Sequence, residues 1–123
     1  MRFRHIMIAT IALGFTIGGG AAARAHAFLK HAQPAVGSTL AAPPTQVRIW
    51  FTEALEPAFS TITVTNAQGQ PVEQGRAAVD AKDPTLLEVG LAALPPGTYR
   101  VKWRVISVDT HPTEGDFTFT VRP

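Results

Sequence analysis

The sequence predicts an all-β fold of about seven strands packed as two sheets, following an N-terminal export segment. Two observations carry that expectation. Apolar and polar residues alternate with period two in four separate runs, as in strands with one buried face. Turn signals rich in Pro, Gly, Asn and Asp separate these runs at short intervals. Helix is confined to about one turn near residues 54–59, and no internal repeat or low-complexity linker occurs.

Residues 1–25 read as a secretory signal peptide. Arg2 and Arg4 precede an apolar run over 6–17, then Gly18-Gly19-Gly20 and the small-x-small exit Ala23-Arg24-Ala25. The apolar run is shorter than the ~20 residues a bilayer-spanning helix needs, which argues against a retained anchor. The lack of an Arg-Arg pair favours the general secretion route over the twin-arginine one. The expected mature domain is 26–123.

Within it, a weak strand is expected at 28–33, followed by turns at Pro34-Ala35-Val36-Gly37 and Pro43-Pro44. Val47, Ile49 and Phe51 then share one face, with Arg48, Trp50 and Thr52 on the other. Ile62 and Val64 alternate with Thr61, Thr63 and Thr65 before the turn at 66–69. Weaker strands are expected at 76–79 and 85–89, on either side of Asp83-Pro84. After Pro95-Pro96-Gly97, Tyr99, Val101, Trp103 and Val105 alternate with Arg100, Lys102 and Arg104. Phe117, Phe119 and Val121 close the chain against Thr118, Thr120 and Arg122. Seven short strands with such spacing suit an immunoglobulin-like or cupredoxin-like sandwich. Tyr99, just after a Pro-Pro-Gly turn, is placed as a tyrosine corner, and Trp103 is expected in the core.

Charge excludes one class of partner. Three of the 11 basic residues (Arg2, Arg4 and Arg24) and none of the nine acidic ones lie in the export segment, so the net charge falls from +2 to −1 on its removal. The remainder has no basic stripe, and nucleic acid is not an expected partner. Cysteine is absent, and both methionines, Met1 and Met7, belong to the export segment. The expected mature domain therefore offers a metal no sulfur ligand.

Three histidines remain: His26, His31 and His111. Cleavage after Ala25 would make His26 the first residue, whose free α-amine and imidazole Nδ1 can close one chelate ring. With ordinary values of about 7.7–8.0 and 6.5, both can deprotonate near neutral pH. The second feature is Ser107-Val108-Asp109-Thr110-His111-Pro112. If the strand alternation continues through Ser107, Asp109 and His111, carboxylate and imidazole point the same way, and Pro112 ends the ladder. The alternative is a polar turn with a capping aspartate and a solvated histidine. Amine, two imidazoles and one carboxylate form a donor set suited to tetragonal Cu(II), with zinc the competitor. His31, beside Lys30, is read as a surface histidine or a secondary ligand. Glu53 is either an exposed turn carboxylate or a secondary ligand at the end of the sandwich. Hydrolase chemistry is poorly served: Ser107, Asp109 and His111 share one short stretch without a glycine-rich elbow.

The opening His26-Ala27-Phe28-Leu29, then Gln33-Pro34-Ala35-Val36-Gly37-Ser38-Thr39-Leu40, together with the late stretch from Trp103 to Pro112 and Phe117-Thr118-Phe119-Thr120-Val121, resembles the CopC/PcoC family of exported copper-resistance proteins. The resemblance implies a Greek-key sandwich or barrel and one Cu(II) per mature chain, held by His26, Asp109 and His111. It also implies a periplasmic location, a non-enzymatic role in copper homeostasis and an inner-membrane CopD-like copper transporter as partner. Two departures stand out. The methionine-rich loop of some members is missing, which removes the expected Cu(I) ligands, and Thr110 stands where glycine is common. Two other functions also fit the sequence: a copper redox enzyme with an N-terminal histidine brace, and a metal-free immunoglobulin-like interaction module.

Overall fold

The computed structural model describes residues 27–123, so the expected signal peptide and His26 lie outside the described residues. The strands are β1 (Leu29–Gln33), β2 (Thr39–Leu40), β3 (Gln46–Phe51), β4 (Thr61–Thr65), β5 (Glu73–Val79), β6 (Leu86–Leu91), β7 (Gly97–Ile106) and β8 (Pro112–Val121), with a 3-10 turn at Pro57–Phe59. They form two four-stranded sheets, ordered β1-β3-β6-β5 and β2-β8-β7-β4. Pairing is antiparallel except where the two-residue β2 runs parallel to β8. The two-sheet, all-β expectation holds, and β2 is the one strand that its sequence does not announce. Two residues are too few to show a period.

The alternation places the core as expected. Val47, Ile49 and Phe51 of β3 face Ile62 and Val64 of β4, the odd positions 99–105 of β7, and Phe117, Phe119 and Val121 of β8, all buried. Burying such side chains is the main driving force for a chain without disulfides. The Tyr99 hydroxyl donates to the Pro95 carbonyl, so the tyrosine corner is present, and its ring stacks on Phe119 at 5.4 Å. The sheets meet where β4 passes β5. There the Glu73 carboxylate accepts the Val64 amide at 3.0 Å, and the Val72 amide donates to the Val64 carbonyl at 2.8 Å. An edge that would otherwise expose backbone groups is thereby closed.

Two expectations for the late strands need correction. β7 does not run on to His111, because the chain turns at 108–110. Pro112 does not end a ladder; it opens β8, paired with Ile106. A proline at the first residue of a strand sacrifices no ladder bond that its neighbour requires, so the hairpin accommodates it. β8 therefore begins five residues before the apolar alternation at Phe117 becomes visible.

Trp103 is 8% exposed, and its ring meets Phe51 edge-on at 5.1 Å. Its cross-strand partner is Gly115, and a Cβ built there would lie 2.5 Å from Trp103 Cζ2 and 2.8 Å from Cε2. Glycine is required because the indole fills the space a side chain would take. Gly115→Ala is expected to destabilise the domain by about 1–3 kcal/mol, the usual cost of overpacking, as read from a urea denaturation midpoint. An unchanged midpoint would show that the indole can move aside freely.

Candidate metal centre

The β7–β8 connection builds the candidate site from a tight hairpin. Ser107 and His111 close it, with the Ser107 amide donating to the His111 carbonyl at 3.2 Å. Within the loop the Thr110 amide donates to the Ser107 carbonyl at 2.8 Å. Three-residue hairpin loops of this kind end in a left-handed residue, and Thr110 takes that place with φ +71°. A β-branched side chain is strained there, which explains physically why glycine suits the position.

Asp109 and His111 converge at this turn: His111 Nδ1 lies 3.3 Å from Asp109 Oδ1. The turn brings them together, not a continued strand alternation. Both side chains keep solvent access, at 42% for His111 and 35% for Asp109. Beneath them Ser107 is fully buried, and its hydroxyl donates to the same Asp109 Oδ1. That hydrogen bond, ahead of the opposing effect of desolvation, holds the Asp109 carboxyl below its ordinary value of 3.8, with His111 adding to the lowering. The same hydrogen bond orients the carboxylate before any ligand arrives.

The segment after β3 passes the same end of the sandwich. The Val108 amide donates to the Ala54 carbonyl at 3.1 Å, the Glu56 amide to the Ile106 carbonyl at 2.8 Å, and Leu55 bridges Ser107. Glu53 is half-buried in this segment, between Thr52, whose amide donates to the Phe28 carbonyl at 2.9 Å, and Ala54. Glu53 therefore shares an end with the hairpin and with the start of the described chain. His31 is placed differently. It is exposed on β1, with its ring 5.0 Å from that of Trp50, over which the Arg48 guanidinium also sits at 4.8 Å. Arg48 in turn pairs with Glu88 at 3.0 Å.

Among the described residues no three His, Cys, Asp or Glu side chains gather as a metal-binding group. Asp109 and His111 offer one oxygen and one nitrogen, convergent and accessible, a donor chemistry that fits a borderline cation such as Cu(II) or Zn(II). The two leave room for donors from elsewhere. Ala27, fully buried, ties the start of the described chain to this end, since the Thr113 hydroxyl donates to its carbonyl. Sequence reasoning gave neither Ser107 nor Thr113 a supporting role. Parity held the clue for Thr113, which pairs with the inward-facing Val105 where an apolar residue is expected.

Residues 29–122 match the family described as the CopC domain. Copper resistance protein C of Escherichia coli is 36% identical over 116 residues, covering 89% of this chain and 91% of the relative. Among solved structures, CopC from Methylosinus trichosporium OB3b superposes with TM-score 0.75 at 38% identity, covering 80% of this chain and 95% of that one. PcoC, described as a methionine-rich copper resistance protein from Escherichia coli, superposes with TM-score 0.68 at 37% identity, over 80% of this chain and all of that one.

Two outcomes are expected at the hairpin. Thr110→Gly relieves about 1–3 kcal/mol of backbone strain against a loss of about 0.4–1 kcal/mol to added unfolded-state freedom. A net stabilisation near 1 kcal/mol should appear in urea denaturation, and a destabilised variant would contradict the strain. Ser107→Ala should raise the Asp109 carboxyl toward its ordinary value in an NMR pH titration. With a lowered folded value, the Asp109 contribution to stability is present above pH 3.8 and is lost as pH falls through the folded value. In Ser107→Ala that loss should still begin near pH 3.8 but be smaller and complete at a higher pH; an unmoved titration would remove Ser107 as the cause.

Proposed function

Because this chain belongs to the CopC family, we propose that it is an exported Cu(II)-binding protein that sequesters copper in the periplasm or passes it to an inner-membrane partner. The observation that carries the reading is the convergence of Asp109 and His111 on a loop beside the anchored start of the described chain. Asp109 and His111 supply a carboxylate oxygen and an imidazole nitrogen. His26, freed by cleavage after Ala25, adds its α-amine and imidazole, one residue before the buried Ala27. Glu53 is the secondary candidate nearest this end, whereas the stacked surface position of His31 favours a role outside the donor set. Copper is cargo in this reading, bound one per mature chain and released without turnover.

The oxidation state follows from the ligands. Residues 26–123 contain neither Met nor Cys, so every available donor is nitrogen or oxygen, and such a set prefers Cu(II) over Cu(I). The partner is a CopD-like copper transporter of the inner membrane. Among the described residues no helix is long and apolar enough to cross a membrane.

The test is a Cu(II) titration followed by electron paramagnetic resonance on two proteins, one beginning at His26 and one with a single glycine before it. The first should bind one Cu(II) with a nitrogen-rich tetragonal spectrum. The second should lose affinity by at least about tenfold, because its terminal amine no longer shares a chelate ring with the imidazole. Affinity of the first should also fall from pH 8 to pH 5, as protons compete for amine and imidazoles. Identical titrations of the two proteins, or affinity independent of pH, would overturn the terminal chelate.

A further inference from the structure

The peptide group joining Ala27 to Phe28 is held from both sheets. Its carbonyl accepts the hydroxyl of Thr113, on β8. Its N–H donates to Thr52 Oγ1 at 3.0 Å, just past the end of β3. The Thr52 amide returns a bond to the Phe28 carbonyl at 2.9 Å, and the Ala27 methyl is fully buried in the core. We propose that Thr113 and Thr52 are positioning residues that clamp this one peptide group and so set the chain's N-terminal donor against the Asp109–His111 hairpin.

The inference deepens the Cu(II) reading and rests on His26 being a ligand. Its physical basis is the number of free rotations. A peptide group is planar, so fixing its carbonyl and its N–H fixes the whole plane from Ala27 Cα to Phe28 Cα. Burial of the Ala27 methyl fixes how that plane is turned about its bond to Cα. A single soft dihedral, φ of Ala27, then separates the clamp from the peptide group that carries His26. Thr113 lies two residues from His111, and Thr52 is bonded to Glu53, so the clamp is built into the elements that carry the other donors. A terminus tethered at Ala27 has fewer rotations left to lose on binding than one that is free from Phe28 outward.

This role differs from that of Ser107, which orients a donor already on the hairpin. The threonine hydroxyls hold the backbone at Ala27 and Phe28, and they act through that backbone on the donor beside it. Valine is the discriminating replacement, because it keeps the shape of threonine and removes the hydroxyl, whereas serine keeps the hydroxyl.

The experiment measures Cu(II) affinity for Thr113→Val, Thr52→Val and Thr113→Ser in two backgrounds, the protein beginning at His26 and its single-glycine extension. Phe28 amide exchange in the metal-free proteins supplies a readout independent of copper. In the His26 background each valine variant should weaken binding about five- to tenfold, the worth of one hydrogen bond, and the serine variant should retain it. In the extended background the same variants should leave the residual affinity unchanged, and both valine variants should speed Phe28 exchange. Equal losses in both backgrounds would show that the hydroxyls serve only the fold, and no loss in either would show that the clamp does not bear on the metal; each overturns the proposal. If the extension itself leaves affinity intact, the terminal chelate falls and this inference with it. If the extension weakens binding but the valine variants do not, only this inference falls. Should Thr113→Val not fold, Thr52→Val carries the same comparison.

Discussion

Ten antiparallel residue pairs between β7 and β8, from Gly97 with Val121 to Ile106 with Pro112, are the constraint on which the remaining architecture depends. This long hairpin supplies Tyr99, Val101, Trp103 and Val105 from one strand, and Phe117, Phe119 and Val121 from the other, to the buried face. β4 pairs with one side of it and β2 with the other. Its register also decides where the candidate donors lie. A shift by one residue would turn every inward side chain outward and move the loop that joins Asp109 to His111. Core and site are therefore specified by the same hydrogen-bond ladder.

Gly115 shows how narrow that register is. The indole of Trp103 crosses the position where a Cβ would stand, so one glycine in the middle of a strand is needed for a large aromatic opposite it. The loop makes the reverse compromise. Thr110 takes a left-handed conformation that glycine would adopt without strain. The hydrogen bond from its amide to the Ser107 carbonyl closes the turn in which Asp109 Oδ1 lies 3.3 Å from His111 Nδ1. Buried Ser107 completes the arrangement by hydrogen-bonding the carboxylate and lowering its pKa. A strained loop over a satisfied polar base suits a binding site physically, since strain is retained where the surroundings hold it in place.

The opposite side of the same end is organised by backbone polarity. The segment from Thr52 to Glu56 forms no regular strand, yet its backbone groups find partners: the Thr52 amide in Phe28, the Ala54 carbonyl in Val108, the Leu55 amide in Pro84 and the Glu56 amide in Ile106. Paired in this way, an irregular segment can lie against the end of the sandwich without stranding polar groups. It also places Glu53 between the N-terminal segment and the hairpin. His31, by contrast, belongs to an outward row with Trp50, Arg48 and Glu88, where stacking and an ion pair account for its neighbours.

The sequence by itself determined the all-β class, the inward faces of β3, β4, β7 and β8, the tyrosine corner and the pairing of Asp109 with His111 as candidate donors. These are local properties: a period of two, a turn composition and a short motif can all be read along the chain. The two-residue β2, the start of β8 at Pro112 and the supporting hydroxyls of Ser107, Thr52 and Thr113 were decided only by tertiary structure. Each depends on a partner far along the chain or across a turn, and threonine or serine in a strand carries no mark of which buried group its hydroxyl will meet. Spacing can nominate the atoms that bind, but the groups that hold those atoms in place exist only once the two sheets have closed over one another.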